Sequence, residues 1–112
     1  MEIKYKVWLE KEGKVIFGHG REDLLHAIRE CGSLNAAAKK LGMSYRAAWG
    51  RLRASEERLG IKLVETKCNE KGMHLTPEGE MLLNHFENLE KEISDYMAKI
   101  SHEFSRERFT KF

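Results

Sequence analysis

Apolar and polar residues alternate at the N-terminus of the chain, over residues 3–9. This period of two predicts a β-strand with four apolar side chains on one face: Ile3, Tyr5, Val7 and Leu9. A glycine in the stretch EKEGK then predicts a turn, and residues 15–17 (VIF) are apolar again. The chain therefore begins with a predicted β-hairpin.

Glycines and serines divide the middle of the chain into three predicted helices. After a break at Gly-His-Gly, an apolar stripe predicts a first helix over residues 21–30. Ser33 is placed to cap a second helix that ends near residue 41, and Ser44 to cap a third over about 45–59.

Helices two and three are expected to cross closely. Residues 36–38 are all alanine, so the two backbones can approach, while Leu34 and Leu41 are predicted to fill the core. Gly42 suits the abrupt left-handed turn between the helices. This pairing is typical of a helix-turn-helix, although a plain helical hairpin inside another fold is the alternative.

Two short apolar stretches at 61–66 and 73–75 predict a second hairpin, and a threonine followed by a proline then starts a long last helix. The order helix, helix, tight turn, helix, hairpin predicts a winged helix-turn-helix, a mainly α fold with small β-hairpins (α+β). We expect this DNA-binding unit over residues 1–76 and a dimerisation helix with its tail over 77–112.

Apolar residues in the last helix recur at alternating spacings of four and three, which is a heptad pattern. The predicted dimerisation residues are Leu82, Phe86, Leu89, Ile93, Tyr96 and Ile100. Because such a long stripe exceeds what a small domain can cover, we expect a homodimer; folding back onto the same domain is the alternative. A twofold dimer would place two recognition helices about 34 Å apart, on a near-palindromic operator.

Composition adds a charge asymmetry to this picture. The net charge is only +2, but residues 21–67 hold ten Lys/Arg against six Asp/Glu, and residues 77–112 hold five against eight. A basic middle favours an anionic partner, although charge runs are usually solvated faces. No apolar run is long enough to span a membrane, and the charged N-terminus does not resemble a signal peptide. The two cysteines lie far apart in the sequence, which suggests reduced thiols. We therefore expect a cytoplasmic protein.

The third helix carries the candidate chemistry. At about 100° per residue, Arg46, Trp49, Gly50 and Arg53 share an arc away from the core. The N-terminal turns of a recognition helix enter the major groove, where arginine can pair bidentately with guanine. Together with weaker candidates in helix two and the wing, the predicted DNA-binding residues are Asn35, Lys39, Ser44, Tyr45, Arg46, Trp49, Arg53, Lys67 and Lys71.

Several of these residues have an equally ordinary structural explanation. Trp49 is as compatible with packing against the core as with DNA contact, and Tyr45 shares that ambiguity. Surface solvation explains the helix-two and wing-tip residues nearly as well. Arg51 and Arg58 point away from the candidate face and are expected only to aid solubility.

The stretches GSLNAAAKKLGMSYRAAWGRL, LGIKLVET and LTPEGEMLL closely resemble the N-terminal DNA-binding domain of the molybdate-responsive ModE regulators. The LysR-type winged helix is a more distant likeness, since it usually has Gln-Pro after the capping serine. The resemblance covers roughly residues 20–100. It implies a homodimeric transcription regulator of bacteria or archaea, with dimer contacts through the first and last helices.

The chain departs from that family in two respects. It ends at Phe112 with no segment that resembles the molybdate-binding or effector domain, so we expect no built-in molybdate site and no cofactor. Its N-terminal hairpin also stands where full-length ModE regulators begin with a helix.

The five histidines show no ligand-like spacing, and no catalytic motif is present, so we expect neither a metal site nor an enzyme. The alternative function is a protein-interaction module of the same fold without specific DNA binding.

Overall fold

The computed structural model describes residues 2–66 and 72–107. Within those ranges the chain forms two antiparallel hairpins and four helices, which confirms the predicted winged helix-turn-helix architecture. In chain order the elements are β1 (Trp8–Lys11), β2 (Lys14–Gly18), α1 (His19–Cys31), α2 (Leu34–Lys40), α3 (Tyr45–Leu59), β3 (Val64–Glu65), β4 (His74–Leu75) and α4 (Pro77–Arg106).

The N-terminal hairpin is present, but its first strand is shorter than predicted. Strand β1 begins at Trp8, so the expectation of a strand over residues 3–9 was wrong for residues 3–7. The reason is that β2 ends at Gly18, which pairs with Trp8, and the chain then enters α1 at once. Within the described ranges, residues 2–7 pair with no strand; the Ile3 amide instead donates a hydrogen bond to Ser101 Oγ on α4, at 3.1 Å.

Helix α1 begins at His19, two residues earlier than predicted, so the glycine-rich stretch is not a break in the chain. The caps of α2 and α3 are as predicted: Ser33 Oγ accepts from the Ala36 amide at 3.1 Å, and Ser44 Oγ accepts from the Ala47 amide at 3.0 Å. Local hydrogen bonding to adjacent amides is enough to fix where these two helices start.

The turn between α2 and α3 depends on Gly42, whose φ of 68° lies in the left-handed region. Ala37 and Ala38 are buried, as expected for closely crossing helices, and Ala36 is exposed. The prediction that Leu41 fills the core was wrong, because this side chain is 37% exposed. Leu41 is the C-terminal cap of α2, where the chain turns away from the core face.

The core forms where β2, the helices and the wing hairpin meet, and α4 contributes to it. Phe17 of β2 and Phe86 of α4 are both buried, with ring centroids 5.1 Å apart in an edge-to-face arrangement. Leu83, one turn before Phe86, is also fully buried. The first turns of α4 are therefore part of the same core as the helix-turn-helix. The largest fully buried apolar side chains are Phe17, Phe86, Leu24, Leu25, Ile28, Leu52, Leu63 and Leu83.

The start of α4 is fastened to the base of the wing. Thr76 Oγ1 donates to the Lys62 carbonyl at 2.6 Å and accepts from the Gly79 amide at 3.0 Å, as the predicted N-cap. A Cβ at Gly79 would lie 2.2 Å from the Leu63 carbonyl oxygen, so only glycine allows this close approach. From the other side, Glu56 Oε2 of α3 accepts from the Leu63 amide at 2.8 Å.

The molecule is elongated because α4 extends past the core. Its longest dimension is 62 Å, and its radius of gyration is 17.6 Å, against about 13 Å for a compact chain of this length.

Where α1 meets α4, burial and then the adjacent Glu90 carboxyl raise the pKa of Glu22 to about 7. None of the helices in the described ranges is both long and apolar enough to cross a membrane.

Candidate nucleic-acid interface

The first turn of α3 exposes an aromatic and a cationic side chain. Tyr45, the first helical residue, is 52% exposed, and Arg46 beside it is also exposed. Further along the helix, on the side away from Arg46, Ala48 and Leu52 are buried, as the sequence predicts. The core contacts of α3 therefore leave the aromatic and guanidinium groups of its first turn facing outward.

Trp49 packs against the core and also contacts Arg53. Its ring is half-buried and packs against the core, which accounts for one side of the indole. The Arg53 guanidinium lies over the ring, 5.8 Å from its centroid, which is within the range of a cation–π contact. Arg53 is thus held next to Trp49 on the outer arc of α3, rather than being freely solvated.

The open groove beside this pair runs from α3 towards the wing. It is lined by Trp49, Arg53 and Glu56 of α3 and by Ile61 and Lys62 at the start of the wing. Gly50 leaves open space above the helix backbone, with no atom within 4 Å of an added Cβ. A ligand can therefore come close to the backbone of α3 at this point.

The remaining predicted DNA-binding residues fall into two groups. Asn35 and Lys39 are exposed on α2, and Ser44 uses its hydroxyl oxygen as an acceptor in the cap while its proton stays available to donate. Lys67 and Lys71, predicted at the wing tip, lie outside the described residues.

The other side of α3 is structural, and the expectation that Arg58 only aids solubility was wrong. The Arg58 guanidinium donates to the Val15 carbonyl of β2. The Arg51 carbonyl accepts from Arg21 Nε of α1 at 3.4 Å. Burial, and then the charges of Arg58 and Arg51, lower the pKa of Arg21. These contacts join α3 to the N-terminal hairpin and α1. The partners lie far apart in the sequence, so sequence patterns do not reveal these contacts.

The predicted dimerisation stripe on α4 is divided by the fold into two parts. Phe86 is 1% exposed, and Leu82 and Leu89 are half-buried against the same core, so this half is covered by the chain itself. Beyond it, Ile93 and Ile100 are half-buried, and Tyr96 is 59% exposed. The outer half of the stripe therefore remains accessible.

Comparison with known proteins agrees with this architecture. The chain is 35% identical over 95 residues to the molybdenum-pterin-binding protein MopB of Rhodobacter capsulatus, covering 82% of this chain and 35% of MopB. It is 38% identical over 74 residues to the transcriptional regulator ModE of Haemophilus influenzae, covering 63% of this chain and 29% of ModE. The chain thus spans about a third of the length of these relatives.

Among solved structures, the DNA-binding domain of CbnR, crystallised in complex with DNA, superposes with a TM-score of 0.59 at 26% identity. That match covers 77% of this chain and 95% of the CbnR domain. Residues 23–80, which include the helix-turn-helix and the wing, match the family described as bacterial regulatory helix-turn-helix protein, lysR family. The chain belongs to this lysR family of bacterial regulatory helix-turn-helix proteins.

Proposed function

We propose that this chain is a sequence-specific, double-stranded-DNA-binding transcriptional regulator that acts as a homodimer. The observation that carries the proposal is the outer arc of α3, where Arg46 and the Trp49–Arg53 pair are presented on a rigid helix. In the relative CbnR, the corresponding domain is seen in a complex with DNA. Helix α3 would occupy the major groove, with the wing over about residues 61–75 beside it.

The chemistry of the arc fits base and phosphate recognition. Arg46, at the groove-entering end of α3, can pair bidentately with O6 and N7 of a guanine. Asn35, Lys39 and Ser44 would contact phosphates on either side, and these contacts set the register of the protein without reading sequence. The open backbone at Gly50 allows close approach to the floor of the groove. A cytoplasmic location and a non-catalytic role follow from this proposal.

The outer half of α4 supports the homodimer. A 30-residue helix is about 45 Å long, and its outer part carries Ile93, Tyr96 and Ile100 at heptad spacing. We restrict the proposed dimer contacts to these residues and the accessible edges of Leu82 and Leu89. Phe86 is assigned to the core instead, because the domain of its own chain covers it.

The proposal is tested by selecting the purified chain against a randomised duplex library at physiological salt and sequencing the bound sites. We expect an inverted repeat whose half-sites are about one helical turn apart. On the selected operator, Arg46→Ala should weaken binding by about tenfold to a hundredfold for each half-site and relax the preference at one base pair in each, because one bidentate contact is worth about 1–3 kcal/mol.

Arg51→Ala is the matched control, since it removes the same charge from the same helix on its structural side. It should change affinity much less than Arg46→Ala does. If the library shows no enrichment, the chain is a winged helix that serves protein interaction or non-specific binding, and the regulator proposal fails. Equal losses in the two arginine variants would instead show that only total charge matters.

The dimer is tested separately by sedimentation of the free protein. Tyr96→Glu places a charge in the outer stripe and should convert a dimer to a monomer, whereas Lys99→Glu, at an exposed neighbouring position, should not. A wild-type chain that sediments as a monomer at all concentrations would refute this part of the proposal without affecting DNA recognition by α3.

A further inference from the structure

Three metal-ligating side chains from two helices meet where α1 begins beside the middle of α4. His19 and Glu22 lie on the first turns of α1, and Glu90 lies on α4. One donor atom from each lies within 4.8 Å of the other two. No motif in the sequence connects these residues, because α4 reaches α1 only through the tertiary fold.

The basic neighbour of the two carboxyl groups in this cluster is His19. The Glu22 side chain is only 7% exposed, and its ion-pair contact is with His19, whose Nδ1 lies 3.3 Å from Glu22 Oε1. The Glu90 carboxyl lies next to that of Glu22, with ligand atoms of the two groups within 4.8 Å of each other. In the part of the chain that the structure describes, no Lys or Arg forms an ion pair with either carboxylate. Two carboxyl groups and one imidazole therefore meet at a partly buried point.

The second ring nitrogen of His19 is also engaged in a way that suits a metal ligand. Its Nε2 lies 3.4 Å from Asp23 Oδ2, on the side away from the Glu22 contact. Histidines that bind metals through one nitrogen commonly donate the other N–H to a carboxylate, which fixes the tautomer and the ring orientation. Asp23 stands in that position.

The donor set and its spacing fit a small divalent cation. Zn²⁺ binds imidazole nitrogen and carboxylate oxygen at about 2.0–2.2 Å, so two donors on one tetrahedral ion are about 3.4 Å apart. The three ligand atoms lie within 4.8 Å of one another, so binding would draw them closer by up to about 1.4 Å. A cavity lined by Tyr5, Lys6, Val7 and Trp8 opens onto His19 and Glu90 and provides a path for the ion.

We propose that His19, Glu22 and Glu90 bind one divalent first-row transition-metal ion of the Zn²⁺ class, with Asp23 orienting the imidazole. The bound ion would join the first turns of α1 to the middle of α4 and would leave a coordination position for water. This inference does not depend on DNA binding, because none of its residues lies on the outer arc of α3.

The experiment is a calorimetric titration of the full chain, stripped with a chelator, with Zn²⁺ alone. We expect saturation at one ion per chain. A matching melting experiment should show a rise in Tm of several degrees at saturating Zn²⁺, because binding to the folded state stabilises it. Glu90→Gln keeps the shape of the side chain and should weaken binding by at least about tenfold, as should His19→Gln at an exposed position.

His26→Gln is the matched control. His26 contacts Glu87, so this pair also joins α1 to α4, but it lies outside the cluster. The control should bind Zn²⁺ like the wild type, and circular dichroism should confirm that every variant is folded. The proposal is overturned if the wild type shows no saturable Zn²⁺ binding. It is equally overturned if His26→Gln loses as much affinity as the two cluster variants, since that result would indicate adventitious binding by surface histidines.

Discussion

Phe86 offers a direct test of whether α4 belongs to the core of the DNA-binding unit. The Phe86→Ala variant removes a ring that is 1% exposed and that packs edge-to-face on Phe17. Truncating a buried phenylalanine typically costs about 3–5 kcal/mol, of which an aromatic pair accounts for about 0.5–1.5 kcal/mol. A domain of this size is stable by only about 5–15 kcal/mol. The variant should therefore lose a large part of its stability.

The free energy of unfolding is measured by urea denaturation at fixed protein concentration. Met81→Ala on the same helix is the control: Met81 is 59% exposed, so its truncation should cost less than about 0.5 kcal/mol. Adding Phe17→Ala completes a double-mutant cycle, in which the coupling between the two rings should lie near 1 kcal/mol. If Phe86→Ala costs no more than Met81→Ala, α4 does not pack on β2 as described.

Three further predictions concern single contacts. Gly79→Ala should destabilise the fold by about 1–3 kcal/mol, because the added Cβ would clash with the backbone of Leu63. Gly50→Ala should instead stabilise α3 by about 0.5–1 kcal/mol and weaken DNA binding. Thermal melts compare the stabilities of the two variants, and titrations with DNA compare their affinities. Thr76→Ala should cost about 1–2 kcal/mol by loss of the α4 cap, and Thr76→Ser should restore most of it in urea denaturation. Lys40 lowers the pKa of Glu30. The pair therefore stabilises the folded state at neutral pH, and this contribution is lost as the pH falls through the lowered pKa. In Lys40→Ala, an NMR titration should find the pKa of Glu30 back near its ordinary value.

The parts of the fold that local chemistry determines were predictable from sequence. Ser33 and Ser44 cap their helices through amides three residues away, and Gly42 makes its turn by its own backbone freedom. The wing and the start of α4 follow from similarly local signals. These predictions were confirmed because no distant residue is needed to satisfy them.

Features that depend on contacts between distant elements were not predictable. The alternation at residues 3–7 is that of a strand, but the next strand is too short to pair with it. Arg58 has no partner near it in sequence, yet it bonds to β2. The heptad pattern in α4 does not distinguish Phe86, which faces its own core, from Tyr96, which faces outward. In each case the role of the residue depends on a neighbour that is distant in the sequence and close only in the folded structure.

The attachment of α4 to the wing has a mechanical consequence. Thr76 and Gly79 fix the first turn of α4 to residues 62 and 63, and Leu83 and Phe86 fix the next turns to the core, so the helix and the base of the wing share one attachment. A rotation of 5° about that attachment would displace the far end of a helix about 45 Å long by about 4 Å. A second molecule bound to the distal turns would therefore be held at an angle set at the base of the wing. In the proposed dimer, the angle of α4 would then determine both the distance between the two half-sites and the position of each wing.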